Sequence, residues 1–280
     1  MRCVFDWSPL DGPCYLPDSI WTPGMAVTAK STASSTKKSS ADHAKARTPK
    51  TMSERAGNKS YERIQVAALS LFAEKGVDST SIRDIGAKAN VTTSLLYHYA
   101  PSKLQLVYEL MSDGMERYQS SAAQARDLGT TVEERLAGLV TAHIIMHCRN
   151  RQLAKLIDNG WRPLPRKEKD VMLQVRDDYS QLWDEVLQDG IDKGIFDISD
   201  PRLARLAVVQ MCSVSTWFSP NGPLTTEVVV ERFGDLVFGT VRAARDGAAI
   251  RFADLNSPKF SDVLAIVETN HEGAVFGRKR

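Results

Sequence analysis

The stretch from Lys59 to Leu106 constrains this chain more than any other, because three short helical patterns follow one another there with tight punctuation between them. In the first, Ile64, Ala68, Leu71 and Phe72 fall at i, i+4, i+7 and i+8, which is one apolar face of a helix. Gly76 stands just past the last periodic residue, where a left-handed stop belongs. Ser81-Ile82-Arg83-Asp84 then offers a hydroxyl cap and an acidic side chain three residues on that reaches back. The short helix it opens buries Ile82 and Ile85. Ala89-Asn90-Val91 makes a turn, with Asn at the position that tolerates a left-handed backbone. Thr92 caps a third helix, Thr93 to Tyr99, which ends before Pro101. Two short helices joined by a tight turn form a helix-turn-helix, whose second helix is built to enter a DNA major groove.

The residue types of that second helix suit a groove. Thr92, Thr93 and Ser94 bring hydroxyls and free backbone N–H groups to its positive N-terminal end, where phosphate is favoured. Leu96 is expected inside, beside Val91 and Ile85. Leu95, Tyr97, His98 and Tyr99 are left on the other faces, a poor choice for a helix that meets only water. Tyrosine hydroxyls bond phosphates, His98 can donate to base or phosphate, and Leu95 suits a thymine methyl. Lys103, at the start of the next helix, is placed to neutralise a phosphate. The competing reading is a purely structural three-helix unit with Tyr97 and Tyr99 in its core.

This stretch resembles the DNA-binding domain of TetR-type transcriptional regulators. The resemblance is carried by Phe72, Gly76, Thr80-Ser81-Ile82-Arg83-Asp84-Ile85, Ala87, Ala89, Val91, Leu96-Tyr97, Tyr99 and Ser102-Lys103. The run Leu-Tyr-x-Tyr followed by Ser-Lys is specific to that family's recognition helix. Ser94, Leu95, Ala100, Gly86 and Asn90 depart from the residues usual there. The resemblance implies DNA binding through Ser81, Arg83, Thr92, Thr93, Ser94, Leu95, Tyr97, His98, Tyr99 and Lys103. It also implies a second, helical domain that binds a ligand, and dimerisation through the final two helices.

At 280 residues the chain is long enough for one or two domains with a substantial core. No apolar run approaches the ~20 residues of a membrane span, and the first residues lack the pattern of a secretory signal. Cys3, Cys14, Cys148 and Cys212 show no metal-binding spacing, which fits a reduced cytoplasmic setting. Residues 1–57 are expected to be a disordered arm, rich in Ser, Thr, Ala and Lys. Met25 and Met52 within it are candidate translation starts besides Met1. Residues 26–60 carry a net charge of +6, directly before the DNA-binding helices. Such an arm either adds phosphate contacts and steers association, or is a solvated linker.

From Leu104 to about Arg245 the sequence reads as helix throughout, with no internal repeat and no alternating strand run of useful length. Leu104, Val107, Tyr108 and Met111 continue a long helix out of the DNA-binding unit. Leu128-Gly129 interrupts, and Thr131 caps the next helix. Asn159-Gly160 and Pro163 to Pro165 break the pattern before a long helix from about Lys167 to Asp189. Asp200-Pro201 starts a helix running to Phe218, and Thr225 or Thr226 caps the last one. Leu206, Met211, Val214, Val229, Phe233, Leu236, Val237 and Val241 are the candidate dimer interface, with Gly234 and Gly239 allowing close approach of another helix. The end of this region resembles a TetR-type subgroup that often senses acyl-CoA thioesters. Residues 247–280 are a tail with one short helix, Ser261 to Thr269, and a basic end at Arg278-Lys279-Arg280.

Candidate pocket residues are Met111, Met115, His143, Met146, His147, Trp161, Tyr179, Trp183, Met211 and Trp217, most of which at helical spacing also read as plain core. His143 and His147 stand one turn apart, but no third metal ligand is near and Cys148 points off that face, so no metal or other cofactor is expected. No catalytic constellation is present: no H-E-x-x-H, no phosphate-binding glycine loop, no G-x-S-x-G elbow. The expectation is an all-α protein that is not an enzyme. It consists of an arm over 1–57, a helix-turn-helix domain over 58–106, a ligand-binding and dimerisation domain over 107–246, and a tail over 247–280. As a homodimer it would bind a palindromic double-stranded operator on the nucleoid, away from membranes, and a small apolar effector such as an acyl-CoA would release it. The rivals are a constitutive DNA-binding division factor and a metal- or redox-sensing regulator using His143, His147 and Cys148.

Overall fold

Capping and punctuation decide where the helices of this chain begin and end. The computed structural model describes residues 59–256 and 258–271. The expected arm over 1–57, with Met25 and Met52, and the basic C-terminal end lie outside them. Ten α-helices run in order among the described residues. The first four are α1 (Lys59–Lys75), α2 (Ile82–Ala89), α3 (Thr93–Tyr99) and α4 (Lys103–Asp127). Next come α5 (Val132–Arg149), α6 (Arg151–Asn159) and α7 (Arg166–Asp192). The last are α8 (Pro201–Cys212), α9 (Thr226–Thr240) and α10 (Phe260–His271). Ser81, Thr92, Ser102, Thr131, Asp200 and Thr225 each accept a backbone N–H at a helix start. Ser81 with Asp84, and Thr131 with Glu134, close full capping boxes.

The body is built around α5, which is buried on nearly every side by α4, α7, α8, α9 and α10. A Cβ at Gly138 would collide with the Ala125 carbonyl, so glycine is what lets α4 and α5 lie this close. α4 runs unbroken from the DNA-binding head into the body. At its start the Lys103 ammonium donates to the carbonyls of Val77 (2.7 Å), Thr80 (2.9 Å) and Asp78 (3.3 Å). The expected phosphate-neutralising lysine is thus held in the α1–α2 turn, since a flexible ammonium with three donors satisfies carbonyls that no helix can. Nearby, the Tyr61 hydroxyl donates to Glu109 Oε2 at 2.5 Å, tying α1 to α4.

Three expectations are corrected. The helix from Asp200-Pro201 stops at Cys212 rather than Phe218, because Ser213 leaves helical geometry and donates its hydroxyl to the Val209 carbonyl (3.0 Å). A short 3-10 turn, Val214–Thr216, follows it. A strand pair, β1 (Ala244–Arg245) with β2 (Ala248–Ala249), also spans the boundary between body and tail, where no strand is expected. Its two-residue loop, Asp246-Gly247, has φ of 52° and 79°, the tight hairpin geometry that such a pair supports. Arg245 fastens the hairpin to Glu133 at 2.6 Å. Gly234 faces the Phe252 ring of the same chain, leaving Gly239 as the open position for another helix.

Candidate nucleic-acid interface

The head closes on a small core. Ile85, Ala89 and Leu96 are buried, and burying a leucine this fully stabilises by roughly 1.5–3 kcal/mol. Asn90, at φ 52°, turns the chain so that its own N–H and that of Val91 return to the end of α2. The turn presents α3 with one face inward and its N-terminal end outward. Thr92, Thr93, Ser94 and His98 are exposed, and Tyr97 is 51% exposed. Arg83, on α2, is exposed on the same unit. These exposed residues offer hydroxyls, an imidazole and a guanidinium, the chemistry that phosphates and base edges require.

Other residues expected at the DNA are more engaged. Ser81 accepts from Asp84 N–H (3.1 Å) and donates to Asp84 Oδ2 (2.8 Å), so its hydroxyl serves the cap. Those bonds, chiefly from the Ser81 hydroxyl, hold the Asp84 carboxyl below the usual range. Thr92 Oγ1 accepts from Leu95 N–H at 3.2 Å. Leu95 and Tyr99 are half-buried. Tyr99 stacks on Tyr61 with centroids 5.3 Å apart and meets the His98 ring edge-on at 5.4 Å. Of the two tyrosines, then, Tyr97 faces outward and Tyr99 braces the head. The Tyr61 stacking and the Lys103 clasp left no trace in helical periodicity, because both join residues far apart in the chain.

The body brings most of the expected pocket residues together in its interior. Met111, Met115, His143, Met146, His147, Tyr179 and Trp183 are all buried. His143 Nδ1 lies 2.8 Å from the Tyr179 hydroxyl and Nε2 lies 3.2 Å from Ser213 Oγ. Ser213 gives its proton to Val209, so Oγ must accept from Nε2–H, and Nδ1 accepts from Tyr179. That network assigns His143 the neutral Nε2–H form, as burial and the neighbouring His147 require by pushing its pKa well down. With both nitrogens engaged, His143 has no lone pair to offer a metal. No group of three metal-binding side chains occurs among the described residues. Burial pushes the Cys148 thiol up to about 12, which makes it a poor redox nucleophile. Three pocket candidates are less buried. Trp161 is half-buried in the α6–α7 loop beneath Lys169 and Arg176. Met211 is half-buried on α8. Trp217 is 49% exposed and stacks on Phe233 at 5.5 Å.

The dimer candidates divide in the same way. Val214, Val229, Val237 and Val241 are buried within the chain, so they build its core rather than an outer face. Leu206 and Leu236 are 51% and 55% exposed, and Met211 and Phe233 are half-buried. Leu203, Leu224 and Val228, outside the expected interface, are exposed on the same two helices and their connection. Each apolar helix has two greasy sides, and only packing shows which one the chain itself consumes.

An all-α body carrying an exposed helix-turn-helix defines a DNA-binding transcription regulator rather than an enzyme. The chain belongs to the TetR family: residues 64–110 match the bacterial regulatory proteins of the tetR family, and 129–241 match the tetracyclin repressor-like C-terminal domain. It is 29% identical over 184 residues to the HTH-type transcriptional repressor KstR2 of Mycolicibacterium smegmatis, covering 64% of this chain and 89% of that protein. The TetR family regulator PfmR from Thermus thermophilus superposes with a TM-score of 0.58 at 26% identity, over 65% of this chain and 99% of that one. AibR, solved with isovaleryl coenzyme A and operator DNA, shares the fold at 21% identity and a TM-score of 0.60, over 67% of this chain and 100% of that one. No helix among the described residues is long and apolar enough to cross a membrane.

Proposed function

We propose that the protein is a homodimeric repressor that works on chromosomal DNA in the cytoplasm and leaves its operator when a small apolar effector binds its body. One observation carries the reading: α3 buries Leu96 and turns Thr93, Ser94, Tyr97 and His98 outward, on a head whose sequence matches the family's DNA-binding domain. Each subunit places α3 in a major groove of one half-site, with Arg83 and the α3 N-terminal end on phosphates. The head occupies 58–106, and 107–246 binds effector and partner, with α4 shared between them. Leu203, Leu206, Val228 and Leu236 form the contact between copies, an exposed apolar face of the kind that pairs about a two-fold axis.

The effector favours a state in which the heads no longer fit both half-sites, so DNA and effector weaken each other reciprocally. The buried methionines and aromatics of the body suit an apolar ligand. The isovaleryl-CoA bound by AibR makes acyl-CoA thioesters the first class to try. Selection from random DNA with the purified protein tests the reading, followed by release of the selected duplex with a series of acyl-CoAs. A palindromic motif and release by one chain-length class are expected. A footprint without sequence preference, unmoved by any thioester, would leave a constitutive DNA-binding factor instead.

A further inference from the structure

The match to the family's C-terminal domain ends at residue 241, and the chain goes on to build α10. That helix lies across α4 and α5. Its buried residues Val263, Val267 and His271 fall at i, i+4 and i+8, one face turned inward. Polar bonds hold its edges. Arg117 donates to the Asn270 carbonyl at 2.6 Å, Asn270 Nδ2 donates to Ser121 Oγ at 3.1 Å, and Arg149 pairs with Glu268 at 3.2 Å.

Beneath α10 three rings from three helices meet. The Tyr118 ring of α4 lies 6.2 Å from His147 of α5 and 6.1 Å from His271 of α10. Tyr118 Oη and His147 Nδ1 are buried and have no hydrogen-bond partner among the described residues. Leaving a buried polar atom unpaired costs roughly 1–3 kcal/mol, so a seam that keeps two of them has bonds to offer a group from outside the chain. Burial holds His147 down at about 4 and pushes Tyr118 up, so both are neutral at pH 7. An anion entering here would gain no compensating charge from either, whereas an uncharged oxygen can accept from the phenol or donate to the imidazole.

Resting on the effector reading above, we propose that α10 is a lid, and that the Tyr118–His147 seam beneath it admits an apolar molecule by one uncharged hydroxyl or carbonyl oxygen. Lifting α10 releases the body end of α4. The other end of α4 is fastened to the head through Lys103 and through the Tyr61–Glu109 bond, so the movement is passed to the DNA-reading surface.

Nile red, a neutral apolar dye with a ring carbonyl, is the probe, and stopped-flow fluorescence the readout, on the full chain in a Cys3→Ser/Cys14→Ser background. In a Ser121→Cys/Asn270→Cys variant a short bis-methanethiosulfonate linker ties α10 to α4, and dithiothreitol frees it. Bridging should slow dye uptake about tenfold or more, with full recovery on reduction. Tyr118→Phe should weaken dye affinity about fivefold, the worth of one hydrogen bond. A merely structural hydroxyl would leave affinity untouched. Equal uptake by bridged and freed protein overturns the lid, and unchanged affinity in Tyr118→Phe overturns the oxygen subsite. Failure of the unbridged parent to take up dye overturns the seam as a binding site, whereas the effector reading itself fails only if no acyl-CoA releases the selected duplex.

Discussion

Replacing Lys103 separates two roles that its position allows. If the ammonium mainly neutralises a phosphate, Lys103→Met weakens DNA binding on every sequence and lowers the salt slope by about one unit, with stability unchanged. The structure instead gives it three carbonyl acceptors at 2.7, 2.9 and 3.3 Å. A hydrogen bond from a charged donor contributes about 1.5–3 kcal/mol, but the longest of these is weak and the site is only half-buried. Water can re-solvate part of what is lost, so a net cost of about 2 kcal/mol is expected. For a fold of this size that lowers Tm by about 4–8 °C. Lys103→Arg sharpens the comparison, since it keeps the charge while its planar fork cannot converge on three carbonyls. Thermal unfolding at fixed protein concentration, with parallel DNA titrations at several salt concentrations, measures both effects. Should both variants melt with the parent while Lys103→Met alone loses DNA affinity, the clasp argument is wrong.

On α3, Tyr97→Phe should weaken DNA binding several-fold on all sequences, and equal binding would remove that phosphate contact. His98→Ala should alter the selected motif rather than only its affinity, and an unchanged motif would deny it a base-reading role. Leu206→Glu with Leu236→Glu should yield monomers by sedimentation at concentrations where the parent is a dimer. A persisting dimer would move the interface elsewhere. Stability should also fall with acid. The pKa of His147 in the folded protein, about 4, lies below its ordinary 6.5, so the unfolded chain binds the proton first. The stabilisation from keeping this ring neutral is complete above pH 6.5 and is lost as pH falls towards 4, a change of up to about 3 kcal/mol from this group. Denaturant midpoints flat across that window would contradict its burial.

Much of this protein is local and therefore legible. Ser81, Asn90, Thr92, Thr131 and Asp200-Pro201 announce helix ends through bonds they make to backbone a few residues away, and the structure places each one there. Ser213 was not legible in that way. Its hydroxyl donates to Val209 one turn back, but it also accepts from His143, a partner in a distant part of the chain that the neighbouring sequence does not reveal. The Asp246-Gly247 hairpin carries a strong turn signal on strands too short to show alternation.

Capping chemistry and 3.6-residue periodicity act within a few turns, and they were enough to establish the helical class and the helix-turn-helix from the amino acids, while the family rested on the resemblance of the residues around Leu96-Tyr97 and Ser102-Lys103. Long-range packing chose which apolar side of a helix stays free and which polar side chains are already engaged. Val237 and Leu236 are neighbours in the chain and equally apolar, yet one is fully buried and the other 55% exposed. Lys103 and Arg83 are both cations of the head, yet one is drawn into a ring of carbonyls and the other faces solvent. Such choices depend on what lies across the packing interface, and that partner is supplied by residues tens of positions away.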